Sequence, residues 1–100
     1  MLITSFYISP FDAALHKLTG DAYFEQGKVA DAVREFRVVV ALEPADEAGA
    51  RFDLARALEA SGDKKEAKRE ILRSLEIAPN FEQAQELLLR VRGEARGSKP

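Results

Sequence analysis

The sequence predicts an all-α fold in which antiparallel helix-turn-helix repeats stack side by side and a final helix closes the stack. Three observations predict it. The chain aligns with itself at a shift of about 35 residues, apolar residues recur at helical spacing, and a glycine and a proline punctuate both copies at matching places. The alignment pairs identical residues along most of its length: Ala13 with Ala48, Ala22 with Ala57, Gly27 with Gly62, Ala32 with Ala67, Arg34 with Arg69, Glu35 with Glu70 and Pro44 with Pro79.

The first helix is expected over residues 10–26. Ser9 offers a cap for its first turn, and Pro10 is tolerated there because the N–H that proline lacks has no partner in a first turn. Gly27 follows the last residue and can adopt the left-handed backbone that ends many helices.

The second helix is expected over residues 29–42, where apolar residues between Val29 and Val40 form one continuous stripe. Pro44 then stops it, because proline has no N–H with which to continue the helical hydrogen bonds. Together the first two helices form one antiparallel hairpin.

Helices over residues 46–60 and 64–77 repeat this arrangement, with Gly62 and Pro79 in place of Gly27 and Pro44. A fifth helix is expected over residues 81–93. Its apolar residues are Ala84, Leu87, Leu88 and Val91, which suit a helix that covers the last repeat. The tail over residues 94–100 is expected to be flexible, since it contains little that could be buried.

The N-terminal segment, residues 1–9, contains Leu2, Phe6 and Ile8 ahead of Pro10. This spacing resembles the end of a second helix before Pro44, which favours a remnant of an upstream repeat. Its β-branched and aromatic content is equally typical of an extended segment. In both cases it has to cover something, because a terminal repeat otherwise leaves one apolar face open.

Composition describes an ordinary globular protein, with 46% hydrophobic and 32% charged residues. The formal net charge of −2 provides no cluster of basic residues for nucleic acid or for an anionic membrane surface, so we expect neither partner. There is no cysteine, no recognisable signal peptide and no apolar run of bilayer length. The compartment is therefore undetermined, with the cytoplasm as the default expectation.

The order of small, aromatic and turn residues resembles the tetratricopeptide repeat (TPR) family. The first copy carries Gly20, Tyr23, Gly27, Ala32, Phe36 and Pro44 in the family's order, and the second carries Ala55, Leu58, Gly62, Ala67, Ile71 and Pro79. The resemblance implies a right-handed α-solenoid over residues 10–93, with repeats at 13–46 and 48–80 and a capping helix at 81–93. It also implies a turn between repeats that holds one extra residue near Glu47.

Some positions depart from the family pattern. His16 and Arg51 stand where a large aromatic residue is usual, and Thr19 stands where leucine is usual. We therefore expect looser helix packing at the start of each repeat.

Enzymatic chemistry is not expected. His16 is the only histidine and has no ligand partner at a metal-binding spacing, while phosphate loops, nucleophile motifs and zinc motifs are absent from the sequence. The sequence predicts no catalytic residue, no metal and no cofactor.

The resemblance implies that the first helix of each repeat lines a concave groove for a protein or peptide partner. The groove residues expected on this basis are Lys17, Asp21, Phe24, Phe52, Arg56, Glu59, Gln83, Glu86 and Arg90. Some family members grip the free carboxylate of chaperone tails with lysine, arginine and asparagine. Here only Lys17 fits, while Asp21 and Asp53 stand where asparagine is usual and Gln83 and Leu87 stand where basic residues are usual, so that activity is not expected.

Two functions follow from these expectations. The first is a protein-interaction scaffold that holds a partner segment in the groove. The alternative is a terminal TPR extension of a larger bacterial protein, used for assembly or self-association without a groove ligand. Weak homo-oligomerisation is expected through the N-terminal end, driven by Leu2, Phe6, Ile8 and Leu18.

Overall fold

The computed structural model describes residues 12–97, and within this range the chain folds into five α-helices with no strand. They are α1 (Ala13–Glu25), α2 (Val29–Ala41), α3 (Glu47–Ser61), α4 (Lys64–Ile77) and α5 (Glu82–Gly97). Each helix packs against the next one along the chain, and α3 also contacts α5. The prediction of an all-α helical repeat is confirmed.

The first helix begins three residues later than the start predicted at position 10. The carboxylate of Asp12 accepts hydrogen bonds from the backbone N–H groups of Ala14 at 2.9 Å and Leu15 at 3.4 Å. These bonds satisfy N–H groups that have no partner within the helix, so Asp12 is the cap and Ala13 is the first helical residue. Pro10 and the segment 1–9 lie outside the described residues.

Gly27 and Gly62 end the first helix of each repeat in the way that the sequence predicts. Their φ angles are 81° and 96°, in the left-handed region where a side chain would be strained. One residue further on, the N–H of Lys28 donates to the carbonyl of Tyr23 at 2.9 Å, and Asp63 donates to Leu58 at the same distance. The two hairpins therefore close with the same backbone hydrogen bond.

The turn between the repeats spans residues 42–46, directly ahead of Glu47, which is already the first residue of α3. Glu43 adopts a left-handed φ of 52°, an uncommon conformation for a residue with a side chain. Asp46 then caps α3 by accepting a hydrogen bond from the N–H of Gly49 at 2.9 Å.

The last helix is longer than predicted. It was expected to end at position 93, with a flexible tail over 94–100, but α5 continues to Gly97. Gly93 does not take the left-handed backbone of a helix end, and the following Glu94, Ala95 and Arg96 all have high helix propensity. Residues 98–100 are outside the described range.

Two apolar clusters lie on opposite sides of α3. The first consists of Ala32, Phe36, Leu54, Ala57, Leu58 and Ala67. The second consists of Ala55, Ile71, Ala84, Leu87 and Val91, so it joins the second repeat to the capping helix. None of the helices within residues 12–97 combines the length and the apolar character needed to cross a bilayer.

A contact between a basic and an acidic side chain joins the two helices of each repeat at matching positions. His16 Nδ1 lies 2.7 Å from Glu35 Oε1 in the first repeat, and Arg51 donates to Glu70 Oε1 at 2.8 Å in the second. Arg51 also donates to Glu47 at 2.9 Å. The sequence predicts looser packing here because the usual aromatic residue is missing, but the structure instead places a polar contact between the helices.

Candidate functional site

A concave groove of about 650 Å³ opens across the N-terminal halves of α1 and α3 and the start of α5. Apolar lining residues come from the end of α2, the turn that follows it and the start of α3, and we call them the floor of the groove: Val39, Pro44, Ala45 and Ala50. The described residues that line the groove are Ala13, Ala14, Lys17, Val39, Pro44, Ala45, Asp46, Gly49, Ala50, Phe52, Asp53, Arg56, Phe81 and Gln83.

The structure brings some of the groove residues expected from the sequence together and separates others. Lys17, Phe52, Arg56 and Gln83 line the groove. Asp21 and Phe24 lie beside it and contact Arg56. Glu59 pairs with Arg90 at 3.5 Å, and neither residue lines the groove. Glu86 is exposed and is not among the lining residues either.

Four charged side chains form a connected cluster between α1 and α3, which we call the charged quartet: Lys17, Asp21, Asp53 and Arg56. Lys17 Nζ lies 2.9 Å from Asp21 Oδ2 and 3.5 Å from Asp53 Oδ2. Arg56 lies 3.4 Å from Asp53 Oδ1 and 3.7 Å from Asp21 Oδ1. Each cation therefore faces both carboxylates, and the formal charges sum to zero.

The environments of the quartet change the protonation behaviour of two members. The hydrogen bond from Lys17 to Asp21 raises the pKa of Lys17, and the negative charge of Asp53 adds to that effect. Burial raises the pKa of Asp53, although Lys17 and Arg56 act in the opposite direction. Asp53 is only 8% exposed, so its ionised form depends on the two cations beside it.

The sequence predicts that Phe24 lines the groove, but Phe24 is not among the lining residues. The guanidinium carbon of Arg56 lies 4.4 Å from the centre of the Phe24 ring, which is a cation–π contact. Arg56 Nε is buried without a hydrogen-bond partner among the described residues. Phe24 therefore supports Arg56.

Phe52 forms an aromatic pair with Phe81. The sequence predicts only that a helix begins at Phe81 and does not predict that its side chain lines the groove. The ring centres are 5.2 Å apart and the planes are inclined by 49°. Both rings are half-buried against the second apolar cluster and line the groove. The position of Phe81 two residues after Pro79 is the only sequence signal that could have placed it at this end of the stack.

Groups of three or more metal-binding side chains are absent from the described part of the chain. His16, the single histidine, lies between α1 and α2, where its Nδ1 contacts Glu35 Oε1 at 2.7 Å. The candidate site is therefore the groove, with its apolar floor, its aromatic pair and its charged quartet.

The tetratricopeptide repeat family model matches residues 23–91, so the chain belongs to the tetratricopeptide repeat family. The resemblance drawn from the repeat residues is confirmed. Among curated proteins, no sequence relative matches the chain.

Solved structures do match. One is the first TPR of Spaghetti (RPAP3) bound to HSP90 peptide SRMEEVD, which is similar to this chain with a TM-score of 0.80 and 27% sequence identity. The similarity covers 88% of this chain and 69% of that chain. Most of the chain therefore has a counterpart in a TPR domain.

Proposed function

We propose that this chain is a protein-interaction module that binds a peptide segment in its groove and does not act as an enzyme. The observation that carries the proposal is the groove itself, which has an apolar floor and a pair of half-buried aromatic rings. Concave sites of about 300–1,000 Å³ with apolar walls and few polar groups are typical ligand sites. Aromatic residues are also common anchors at protein interfaces.

The similar TPR structure supports the same class of ligand, because it contains a bound peptide. The identity of its ligand is not carried over to this chain. Asp21 and Asp53 place two carboxylates beside Lys17, and they would repel the acidic end of such a peptide.

A groove-blocking substitution tests the proposal. Ala14 is exposed and lines the groove, so Ala14→Trp should fill the groove without disturbing an apolar cluster. A peptide selected from a random library on the unchanged protein should bind this variant at least about tenfold more weakly, as expected for loss of a moderate hot spot. Titration calorimetry measures the difference.

The matched control is Ala30→Trp, since Ala30 is an exposed residue of α2 outside the groove lining. Its affinity should equal that of the unchanged protein. Equal binding by both tryptophan variants would contradict a groove site, and circular dichroism verifies that both variants remain helical.

A second candidate function is assembly through the outer side of α1, and a specific contrast between the repeats favours it. Leu18 is 67% exposed, and Ala22 on the same side of α1 is exposed too; we call these two residues the open face of α1. Ala57, which occupies the place of Ala22 one repeat later, is fully buried. We propose that a second copy of this chain covers the open face.

This association is expected to raise the weight-average mass above the 11.1 kDa of one chain at high concentration in sedimentation equilibrium. Leu18→Lys should restore the monomer, because it places a charge in an apolar contact. Leu89→Lys is the control, since Leu89 is 55% exposed on α5 at the other end of the stack. A monomeric parent, or an equal effect of both variants, would argue against assembly at this face.

A further inference from the structure

The basic side chains in the groove are already neutralised by the protein. Among the described lining residues only Lys17 and Arg56 are basic, and both belong to the charged quartet. Lys17 contacts two carboxylates within 3.5 Å, and Arg56 contacts the same two within 3.7 Å. An anionic ligand group would therefore have to compete with carboxylates that are fixed in place.

A ligand that drew Lys17 or Arg56 away from the quartet would also leave the buried carboxylate of Asp53 with fewer partners. Asp53 is 8% exposed, and its neighbours Lys17 and Arg56 offset the cost of burying its charge. A ligand carboxylate that drew either cation away would weaken that compensation. The quartet therefore favours its present pairing over a pairing with an incoming terminal carboxylate.

The remainder of the groove is mostly apolar. Val39, Pro44, Ala45 and Ala50 line it together with the aromatic pair, and Asp46 is the one charged side chain among the described lining residues outside the quartet. The rings of Phe52 and Phe81 are in contact, with their centres 5.2 Å apart and their planes inclined by 49°, and together they form one apolar surface of the groove. A peptide side chain that enters here gains apolar contact without a change in the quartet.

We propose that the groove selects an internal, extended peptide segment by burying one large apolar side chain beside Phe52 and Phe81, and that it does not select a free terminal carboxylate. This inference rests on the proposed function, because it specifies the ligand of the same groove. The aromatic pair supplies the anchor site. Because the two aspartates of the quartet already pair with Lys17 and Arg56, a terminal carboxylate at this point gains no cation partner.

Three short probes separate the contributions of the anchor and of the carboxylate. They are acetyl-Gly-Ser-Phe-Gly-Ser as its amide, the same peptide as its free acid, and the amide in which Phe is replaced by Ala. Binding is followed by NMR titration of the whole protein at millimolar peptide, with the amide signals of Ala50 and Asp53 as reporters. The free acid should bind no more than about twofold differently from the amide, and loss of the Phe ring should weaken binding about tenfold or more.

A double substitution tests the role of the aspartates. Asp21→Asn with Asp53→Asn should introduce a preference of about tenfold for the free acid over the amide, because Lys17 and Arg56 lose their carboxylate partners. Asp31→Asn is the matched control, since Asp31 pairs with Arg34 on the exposed side of α2. It should leave the two affinities equal.

The outcomes distinguish this inference from the proposed function. Preference for the free acid by the unchanged protein, with shifts in the groove, would overturn the inference and still support a peptide-binding groove. Saturable binding in the groove without a difference between the Phe and Ala probes would also overturn it. No groove shift with any probe would contradict both. If the double variant shows no new preference for the free acid, the two aspartates are not the cause of the equal affinities, and this outcome would also overturn the inference.

Discussion

Gly20→Leu is expected to lower the free energy of unfolding by about 3 kcal/mol, the upper part of the usual range for an overpacked core. A Cβ atom at Gly20 would lie 2.6 Å from Cε1 of Phe36, and Phe36 is fully buried between α1, α2 and α3. The ring cannot move away without displacing other buried residues. Urea denaturation followed by circular dichroism measures the loss.

Gly93→Leu provides the control for this substitution. Gly93 also lies within a helix, but a Cβ atom there would meet nothing within 4 Å. Leucine has the higher helix propensity, so stability should stay unchanged or rise by about 0.5 kcal/mol. A Gly20→Leu variant that unfolds at the same urea concentration as the parent would show that α1 and α2 do not approach closely at this position.

Arg51→Met is expected to destabilise the protein by about 2 to 3 kcal/mol. Arg51 is the hydrogen-bond partner of Glu70, whose side chain is 11% exposed, so the substitution leaves a nearly buried carboxylate without its counter-charge. Breaking such a pair on one side costs more than the pair itself contributes. Thermal and urea denaturation at neutral pH measure the effect.

Two further variants isolate this cause. Arg51→Met combined with Glu70→Met should recover most of the lost stability, because neither charge then remains. Arg34→Met removes an arginine that is 60% exposed and should change stability by less than about 0.5 kcal/mol. If the double variant is no more stable than Arg51→Met alone, the loss comes from packing of the arginine stem and not from the unpaired carboxylate.

The repeat register accounts for most of what the sequence could predict. Helix positions follow from apolar spacing, and Gly27 and Gly62 mark turns because few other residues tolerate their backbone angles. Helix ends were predicted less well, as Asp12 and the end of α5 illustrate. A cap depends on whether a particular side chain reaches the backbone, and more than one nearby residue can do so.

The groove was harder to predict because its character depends on contacts between helices. Spacing places Lys17, Asp21 and Phe24 on one side of α1, but it does not reveal that Arg56 extends from α3 across Phe24. Similarly, the place of Phe81 depends on its contacts with Phe52 and with the second apolar cluster. Such pairings depend on side-chain length and on the separation of neighbouring helices, which an internal alignment of one chain does not contain.

The recurring polar contact between the helices of each repeat has a geometric consequence. An α-helix turns by about 100° per residue, so rotation of α4 by one residue would carry Glu70 away from Arg51. Rotation of α2 would separate Glu35 from His16 in the same way. Apolar contacts are non-directional, so they mainly determine how closely two helices approach. A hydrogen-bonded pair is directional, so it also specifies how each helix is rotated about its own axis.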